Sequence, residues 1–301
     1  MPLLNGVIPV IPTPFSEDGF SVDYKSFEKL VELAVDEGAN GLGLLAGGAE
    51  FYKLTQEERN NLLRTAVEVN NKRVPVLVTI SAHATRNAVQ EAELAMKMGA
   101  DAINVMPPSF AFPNAKMVAR HLVEVSKSVP LPVMIQYAPA LTGGAIANET
   151  FTEIGESSGG ELYIKVEASP TGPVISSVIA ATHGKYNIVA GNGGECMFEA
   201  FSRGACAVMP GLAMVKPYCE IYNAFVEGDK DKAFRLFNMF LPYVHFILRD
   251  IEQFVAMEKI ILVERGVLHN AVCREPNNYP DEWSKRLLLS NYRFIKEQFK
   301  L

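Results

Sequence analysis

Short apolar runs recur along the first two thirds of the chain, and a stretch with helical periodicity follows each of the early ones. The runs are apolar on successive residues, as expected when both faces of a parallel strand are covered. They are GVIPVIPTPF from Gly6, GLGLLAG from Gly41, VPVLVTI from Val74, AINVMPP from Ala102, PVMIQYA from Pro132, YIKVE from Tyr163, NIVAGN from Asn187 and CAVMPG from Cys206.

The segments between the runs carry helix signals. Apolar residues between Phe27 and Ala34 fall on one helical face, and Gly38 offers a stop after the last turn. Thr55 and Glu58 have capping-box spacing at the start of the next helix. Strand and helix alternating eight times predict a (β/α)8 TIM barrel, an α/β fold whose functional groups gather at the C-terminal ends of the strands. A doubly wound open sheet is the alternative.

The pattern changes after Gly211 to long apolar helical stretches. We therefore predict a barrel over residues 1–215 and a C-terminal helical bundle over residues 216–301, packed on the barrel through a joint core. The methionine and aromatic stripe from Phe234 to Phe254 is interpreted as the core of this bundle, without a ligand.

Composition narrows the class of protein. The 301 residues are 49% hydrophobic, and the formal charge of −6 is spread along the chain, so no basic patch predicts binding to nucleic acid. The first residues lack a charged region before the apolar part, and no uncharged run reaches the roughly 20 residues that cross a bilayer. The four cysteines show no CxxC spacing, which favours reduced thiols in the cytoplasm over a zinc site. They are Cys196, Cys206, Cys219 and Cys273.

Lys165 is the most informative residue because it lies in a short strand that should be buried on both faces. It could be a charge at a sheet edge, or a structural partner of Glu167, which is two residues on and faces the same way. A closed barrel has no edge, however. Burial of an ammonium group lowers its pKa in general, so a lysine here could present a neutral amine to a ketone.

Tyr137 ends the preceding strand, and we expect its phenol to point into the barrel mouth beside Lys165. There it would move the protons that imine chemistry requires, although a tyrosine satisfied at the rim is the simpler interpretation. Gly47 and Gly48 follow the second strand and are either turn residues or backbone donors for a carboxylate. An amine beside a carboxylate cradle describes a site for a 2-oxo acid.

Two further segments follow strands at the same face. Gly191, Asn192 and Gly193 form a glycine-rich stretch after the seventh strand, which would let a substrate approach the backbone closely. His83 and Arg86 follow the third strand and are expected to serve their loop and helix start more than the chemistry.

These residues resemble the pyruvate-dependent class I lyases that include dihydrodipicolinate synthase and N-acetylneuraminate lyase. IKVEA resembles the family's IKE strand, YAPALTG its YNxPxxTG segment, and RGACAVMPG its last-strand segment, while AGGAE stands where members usually have a Gly-Thr-Thr-Gly-Glu loop. The resemblance implies a Schiff base on Lys165, proton transfer by Tyr137 and a homotetramer. The mechanism that the resemblance implies requires no metal or organic cofactor, because the protonated imine is itself the electron sink.

The departures from the family pattern narrow the range of possible substrates. Gly47 and Gly48 replace two hydroxyl residues, and Phe110 stands where a neighbouring subunit usually supplies a phenol. Leu141 replaces the arginine of dihydrodipicolinate synthases, which argues against condensation with aspartate semialdehyde. Glu167 replaces a small or hydroxyl residue and could bind substrate hydroxyls or act as a second acid and base.

The sequence therefore predicts aldol cleavage or dehydration of a 2-keto-3-deoxy sugar acid, and it does not choose between the two reactions. Both would begin with the same imine. An aldolase like N-acetylneuraminate lyase or dihydrodipicolinate synthase is one alternative, and a non-catalytic 2-oxo acid binding protein is another.

Overall fold

Eight parallel strands form one sheet in which neighbours follow the order of the chain. The computed structural model describes residues 2–110, 112–142, 146–157 and 160–301. The strands are β1 (Gly6–Val7), β2 (Leu42–Leu44), β3 (Val76–Ile80), β4 (Ala102–Val105), β5 (Val133–Tyr137), β6 (Leu162–Val166), β7 (Asn187–Ala190) and β8 (Ala207–Val208). Each lies within one of the eight apolar runs.

The sheet closes on itself between the first run and β2. Val10 forms a parallel bridge with Gly43, whose N–H donates to Pro9 and whose carbonyl accepts from Ile11, both at 2.9 Å. β1 is only two residues long because prolines such as Pro9 and Pro12 lack the N–H that a sheet ladder needs. The prediction of a closed barrel is confirmed, and the open-sheet alternative is wrong.

Helices cover the barrel and continue beyond it. They are α1 (Tyr24–Asp36), α2 (Gln56–Asn70), α3 (Thr85–Lys97), α4 (Ala115–Ser128), α5 (Pro139–Thr142), α6 (Asn148–Ser157), α7 (Thr171–Ala181), α8 (Met197–Ser202), α9 (Val215–Val226), α10 (Lys230–Ile247), α11 (Ile251–Glu264) and α12 (Glu282–Phe299). The predicted capping box of Thr55 and Glu58 opens α2. None of the helices in the described ranges is both long and apolar enough to cross a membrane.

The barrel interior is filled in two layers that follow from strand alternation. Side chains at the lower level are apolar and fully buried, among them Leu77, Ala102, Met134 and Tyr163. Two residues further along each of these strands, the same face carries a polar side chain. These four are Thr79, Asn104, Gln136 and Lys165, each at most 6% exposed. A row of four polar side chains therefore lies above an apolar layer, at the C-terminal end of the strands. We call these four residues the polar row.

Helices α9 to α12 form the predicted C-terminal bundle and share one hydrophobic cluster with the barrel helices. Phe240 and Leu262 are buried in that cluster together with Leu30 of α1. The predicted boundary between residues 215 and 216 stays a prediction, and α9 itself begins at Val215. The start of α11 lies against the loop after β2, which brings the C-terminal region to the barrel mouth.

Candidate active site

A cavity of about 380 Å³ lies at the C-terminal ends of the strands. Its floor is the polar row of β3 to β6, and Glu167 and Asn192 line it at the ends of β6 and β7. Gly47 and Gly48 form one side, and the α10–α11 connection forms another. The cavity is where the sequence predicted a functional face.

Lys165 is the only lysine among the described residues that line this cavity. It is 5% exposed, and its Nζ lies 3.0 Å from Oε1 of Glu167. The two side chains face the same way because they are two residues apart at the end of one strand. The amine is thus buried, paired with a carboxylate and open to the cavity on its remaining side.

Three donors hold the Glu167 carboxylate. Oε2 accepts a hydrogen bond of 2.7 Å from Nε2 of Gln136, while Oε1 accepts one of 3.2 Å from the backbone N–H of Asn192 and lies beside Lys165. Asn104 donates to the side-chain carbonyl oxygen of Gln136 at 3.3 Å, and this contact directs the Gln136 amide nitrogen toward Glu167. The polar row therefore fixes the orientation of the Glu167 carboxylate beside Lys165.

Gly191 makes room for this carboxylate. A Cβ at position 191 would lie 2.1 Å from Cγ of Glu167, a separation that real Cβ atoms do not tolerate. Gly191 therefore supports Glu167 from behind instead of lining the cavity. Asn192 and Gly193, the other predicted residues of this segment, do line it.

Gly47 and Gly48 begin a single 3-10 turn that ends at Ala49. The first N–H groups of such a turn have no partner within the turn, which leaves them available to an anion. A Cβ on Gly48 would lie 3.2 Å from Cε1 of Phe254, and one on Gly47 would lie 3.4 Å from Cδ1 of Ile251. The start of α11 therefore packs against this loop, closely at Gly48 and in ordinary van der Waals contact at Gly47.

The prediction that the Tyr137 phenol points into the barrel mouth beside Lys165 is wrong. Tyr137 faces away from the barrel interior, where its ring packs edge-to-face on Phe151 of α6 with centroids 5.4 Å apart. Burial at this place raises the pKa of the phenol. Strand alternation explains the error, because Gln136 is the residue paired with Lys165 and points inward with it, so the next residue must point outward. The structure does not bring Tyr137 and Lys165 together.

The sequence contained a signal for this correction. The family segment YNxPxxTG has two residues between its tyrosine and its proline, whereas this chain has only Ala138 between Tyr137 and Pro139. Counting back from Pro139 puts Gln136 at the position of the family's tyrosine. The spacing to the proline, and not the residue type, therefore marks the inward-facing position on this strand.

The other predicted residues lie at the edge of the site or outside it. His83 is exposed and accepts from the N–H of Ser109 at 3.2 Å, as expected of a residue that serves its loop. Arg86 is exposed, and so is Phe110, with 83% of its surface accessible. The expectation on Leu141 falls on a side chain outside the described part of the chain.

The α10–α11 connection was missed as part of the site. Leu248, Ile251 and Phe254 form an apolar wall beside Gly47 and Gly48, which we call the glycine loop. Arg249 and Asp250 lie at the edge of the cavity. The interpretation of the stripe up to Phe254 as bundle core alone is therefore wrong at its C-terminal end. Periodicity could not separate these residues from a core, since both uses place apolar side chains on one helical face.

A buried lysine paired with a carboxylate, at the mouth of a (β/α)8 barrel, is an arrangement suited to a lyase that acts through a lysine Schiff base. The chain matches the model of the Dihydrodipicolinate synthetase family over residues 3–289, and it belongs to that family.

Individual relatives are similar at low identity. L-2-keto-3-deoxyarabonate dehydratase of Azospirillum brasilense is 27% identical, over 96% of this chain and 94% of that protein. A 4-hydroxy-tetrahydrodipicolinate synthase of Bifidobacterium longum is 29% identical, over 91% and 89%. A prophage protein of the dihydrodipicolinic acid synthase family from E. coli K12, solved in complex with pyruvate, superposes with a TM-score of 0.87 at 26% identity and full coverage of both chains.

Proposed function

We propose that this protein is a lyase that forms a Schiff base between Lys165 and a 2-oxo acid, with a 2-keto-3-deoxy sugar acid as its substrate. The observation that carries the proposal is the buried Lys165 amine, 3.0 Å from Glu167, in a cavity bounded by the glycine loop. Membership of a family whose members are named as synthases and dehydratases supports it.

The first step joins the substrate to the lysine. Glu167 is placed to accept a proton from the Lys165 ammonium, and the neutral amine then adds to the C2 carbonyl. Glu167 returns that proton to the departing hydroxyl, so that loss of one water leaves a protonated imine and an ionised Glu167. The unpartnered N–H groups at Gly47 and Gly48 would hold the adjacent carboxylate.

Glu167 then takes the role that the resemblance gave to a tyrosine. The imine acidifies the C3 protons, and transfer of one to Glu167 gives an enamine. In a dehydration, the enamine expels the C4 hydroxyl, which leaves as water with the proton returned by Glu167. Hydrolysis of the imine consumes the water released at its formation, so the net change is the loss of one water.

Dehydration is the reaction we favour over aldol cleavage. The supporting observation is the relative named a 2-keto-3-deoxyarabonate dehydratase, which aligns along 96% of this chain. In the sequence, Leu141 stands where dihydrodipicolinate synthases have an arginine, which argues against a synthase that takes a second carboxylate. Aldol cleavage begins with the same imine and breaks the C3–C4 bond instead.

One experiment tests the covalent step, and a second separates the reactions. Incubation with pyruvate and sodium cyanoborohydride, followed by peptide mass spectrometry, should locate an adduct on Lys165, whereas an adduct elsewhere or none would contradict the proposal. With 2-keto-3-deoxy sugar acids, a single product that retains all carbons indicates dehydration. Pyruvate plus an aldehyde indicates cleavage, and tight binding without product would favour a non-catalytic binder.

The assembly and compartment complete the proposal. We expect a homotetramer from the family resemblance, and the exposed Phe110 and Phe112 supply apolar surface for a subunit contact. Light scattering that gives a monomer mass would contradict it. The four cysteines are free thiols, which supports a reducing compartment such as the cytoplasm.

A further inference from the structure

A second lysine and glutamate pair lies directly beneath the glycine loop. Glu50 joins two successive 3-10 turns, Gly47–Ala49 and Phe51–Lys53, and its backbone adopts the left-handed conformation with φ of 55°. This conformation is costly for a residue with a side chain and persists only when the surroundings impose it. Some other contact must therefore hold Glu50 in place.

The Glu50 side chain supplies that contact. It is fully buried, and Oε1 accepts from Nζ of Lys259 at 2.5 Å, while Oε2 accepts from Nζ of Lys53 and the N–H of Arg274, each at 3.1 Å. The Lys259 ammonium also donates to the Val272 carbonyl at 2.8 Å. Lys259 is completely buried on α11 and does not line the cavity.

The backbone of the turn has few other restraints. The N–H of Ala49 donates to Ala46, and the N–H of Glu50 donates to Gly47, which closes the turn on itself. Outside the turn, the Thr13 hydroxyl donates to the Ala49 carbonyl at 2.7 Å. Glu50 is the charged tie between this turn and the C-terminal helices.

We propose that Lys259 is a positioning residue, which acts through Glu50 to aim the Gly47 and Gly48 N–H groups at the carboxylate of the substrate. The inference rests on the proposed function, because it assigns the glycine loop to a 2-oxo acid. Lys259 touches no substrate atom. Its removal should therefore weaken the selection of a carboxylate and leave the Lys165 amine as reactive as before.

The test compares imine trapping with pyruvate and with acetone, which has the same reactive ketone and no carboxylate. The rate of cyanoborohydride-trapped adduct on Lys165 is measured for each ketone. The primary variant is Glu50→Gln with Lys259→Met, which removes both buried charges and leaves neither uncompensated. Its preference for pyruvate over acetone should fall about tenfold or more, while the acetone rate stays within about twofold of the parent protein.

A matched control removes another buried pair far from the loop. Glu37→Gln with Arg265→Met neutralises a pair whose side chains are 15% and 8% exposed, and this variant should keep the parent preference. The single variant Lys259→Arg retains the positive charge and should therefore keep most of the parent preference for pyruvate over acetone. Circular dichroism confirms the fold of each variant.

The outcomes separate the two proposals. If the parent protein forms no adduct on Lys165, or shows no preference for pyruvate, the proposed function fails. If the parent prefers pyruvate and the folded double variant prefers it equally, the role of Lys259 is refuted. A drop that the control variant shares to the same extent would also refute it, because the effect would then be general destabilisation.

Discussion

Two of the lysine and glutamate pairs near the cavity differ in how they meet it. Lys165 and Glu167 have 7% and 13% of their side-chain surfaces exposed and face the cavity. Lys259 and Glu50 are both at 0%, and protein donors and acceptors surround them. The first pair is therefore open to a ligand, whereas protein groups satisfy the second on every side.

The largest difference should follow from replacing each lysine by methionine. Lys165→Met should lower turnover by at least about 10⁴-fold, since no other described amine lines the cavity to form an imine. Steady-state kinetics with the cognate sugar acid measure the loss. Residual turnover above about 1% in the purified variant would contradict the covalent mechanism.

The carboxylates of the two pairs should also differ in catalysis. Glu167→Gln removes the proposed proton acceptor and should lower kcat by about 10²- to 10⁴-fold, the usual contribution of a general acid or base. Adduct formation on Lys165 should still occur in this variant, but more slowly, because Glu167 also accepts the ammonium proton before attack. An unchanged kcat would show that another group moves the proton.

The second lysine should matter for stability. Lys259→Met leaves the Glu50 charge buried with its neighbours only, and breaking such a pair costs about 3–5 kcal/mol of unfolding free energy. Lys165→Met should cost less, because Glu167 borders the cavity and keeps the Gln136 and Asn192 donors. Urea denaturation of both variants checks the order, and equal losses would remove the contrast between the pairs.

A third carboxylate sharpens the comparison because it is buried without a lysine. Glu258 accepts from the N–H of Ala213 at 2.8 Å, and burial raises its pKa to about 7. The folded state therefore binds a proton that the unfolded state has lost, and stability falls as pH rises from about 4.5 to about 7. Glu258→Gln should remove up to about 3 kcal/mol of this loss at pH 8. A pH-independent difference in unfolding free energy between parent and variant would contradict the assignment.

The smallest effect is expected at the tyrosine. Tyr137→Phe should change kcat by less than about threefold, because the phenol lies outside the cavity against Phe151. Gln136→Ala is the matched comparison on the same strand and should reduce kcat more, since it frees Glu167. A large loss in Tyr137→Phe with intact structure would restore the phenol to the mechanism.

The barrel and the buried position of Lys165 at the cavity could be predicted from the sequence, because both depend on local signals, while the catalytic role of Lys165 stays a prediction. Continuous apolar runs specify parallel strands, and a lysine inside one of them is conspicuous. Reasoning failed at Tyr137, where a displacement of one residue turned a side chain to the other face of the strand. It also missed Lys259, because a buried lysine in a C-terminal helix has a meaning only once the fold brings it to Glu50.

The close approach of Gly191 to Glu167 limits the order in which this site could be acquired. A side chain at position 191 would collide with the glutamate in its present conformation, so we expect the glycine to have preceded the carboxylate. In the reverse order, the glutamate would first have to adopt another conformation. A barrel lyase with glutamate two residues after its imine lysine should therefore carry glycine where the next strand ends, and that pairing offers a test for recognising other chains with the same chemistry from sequence.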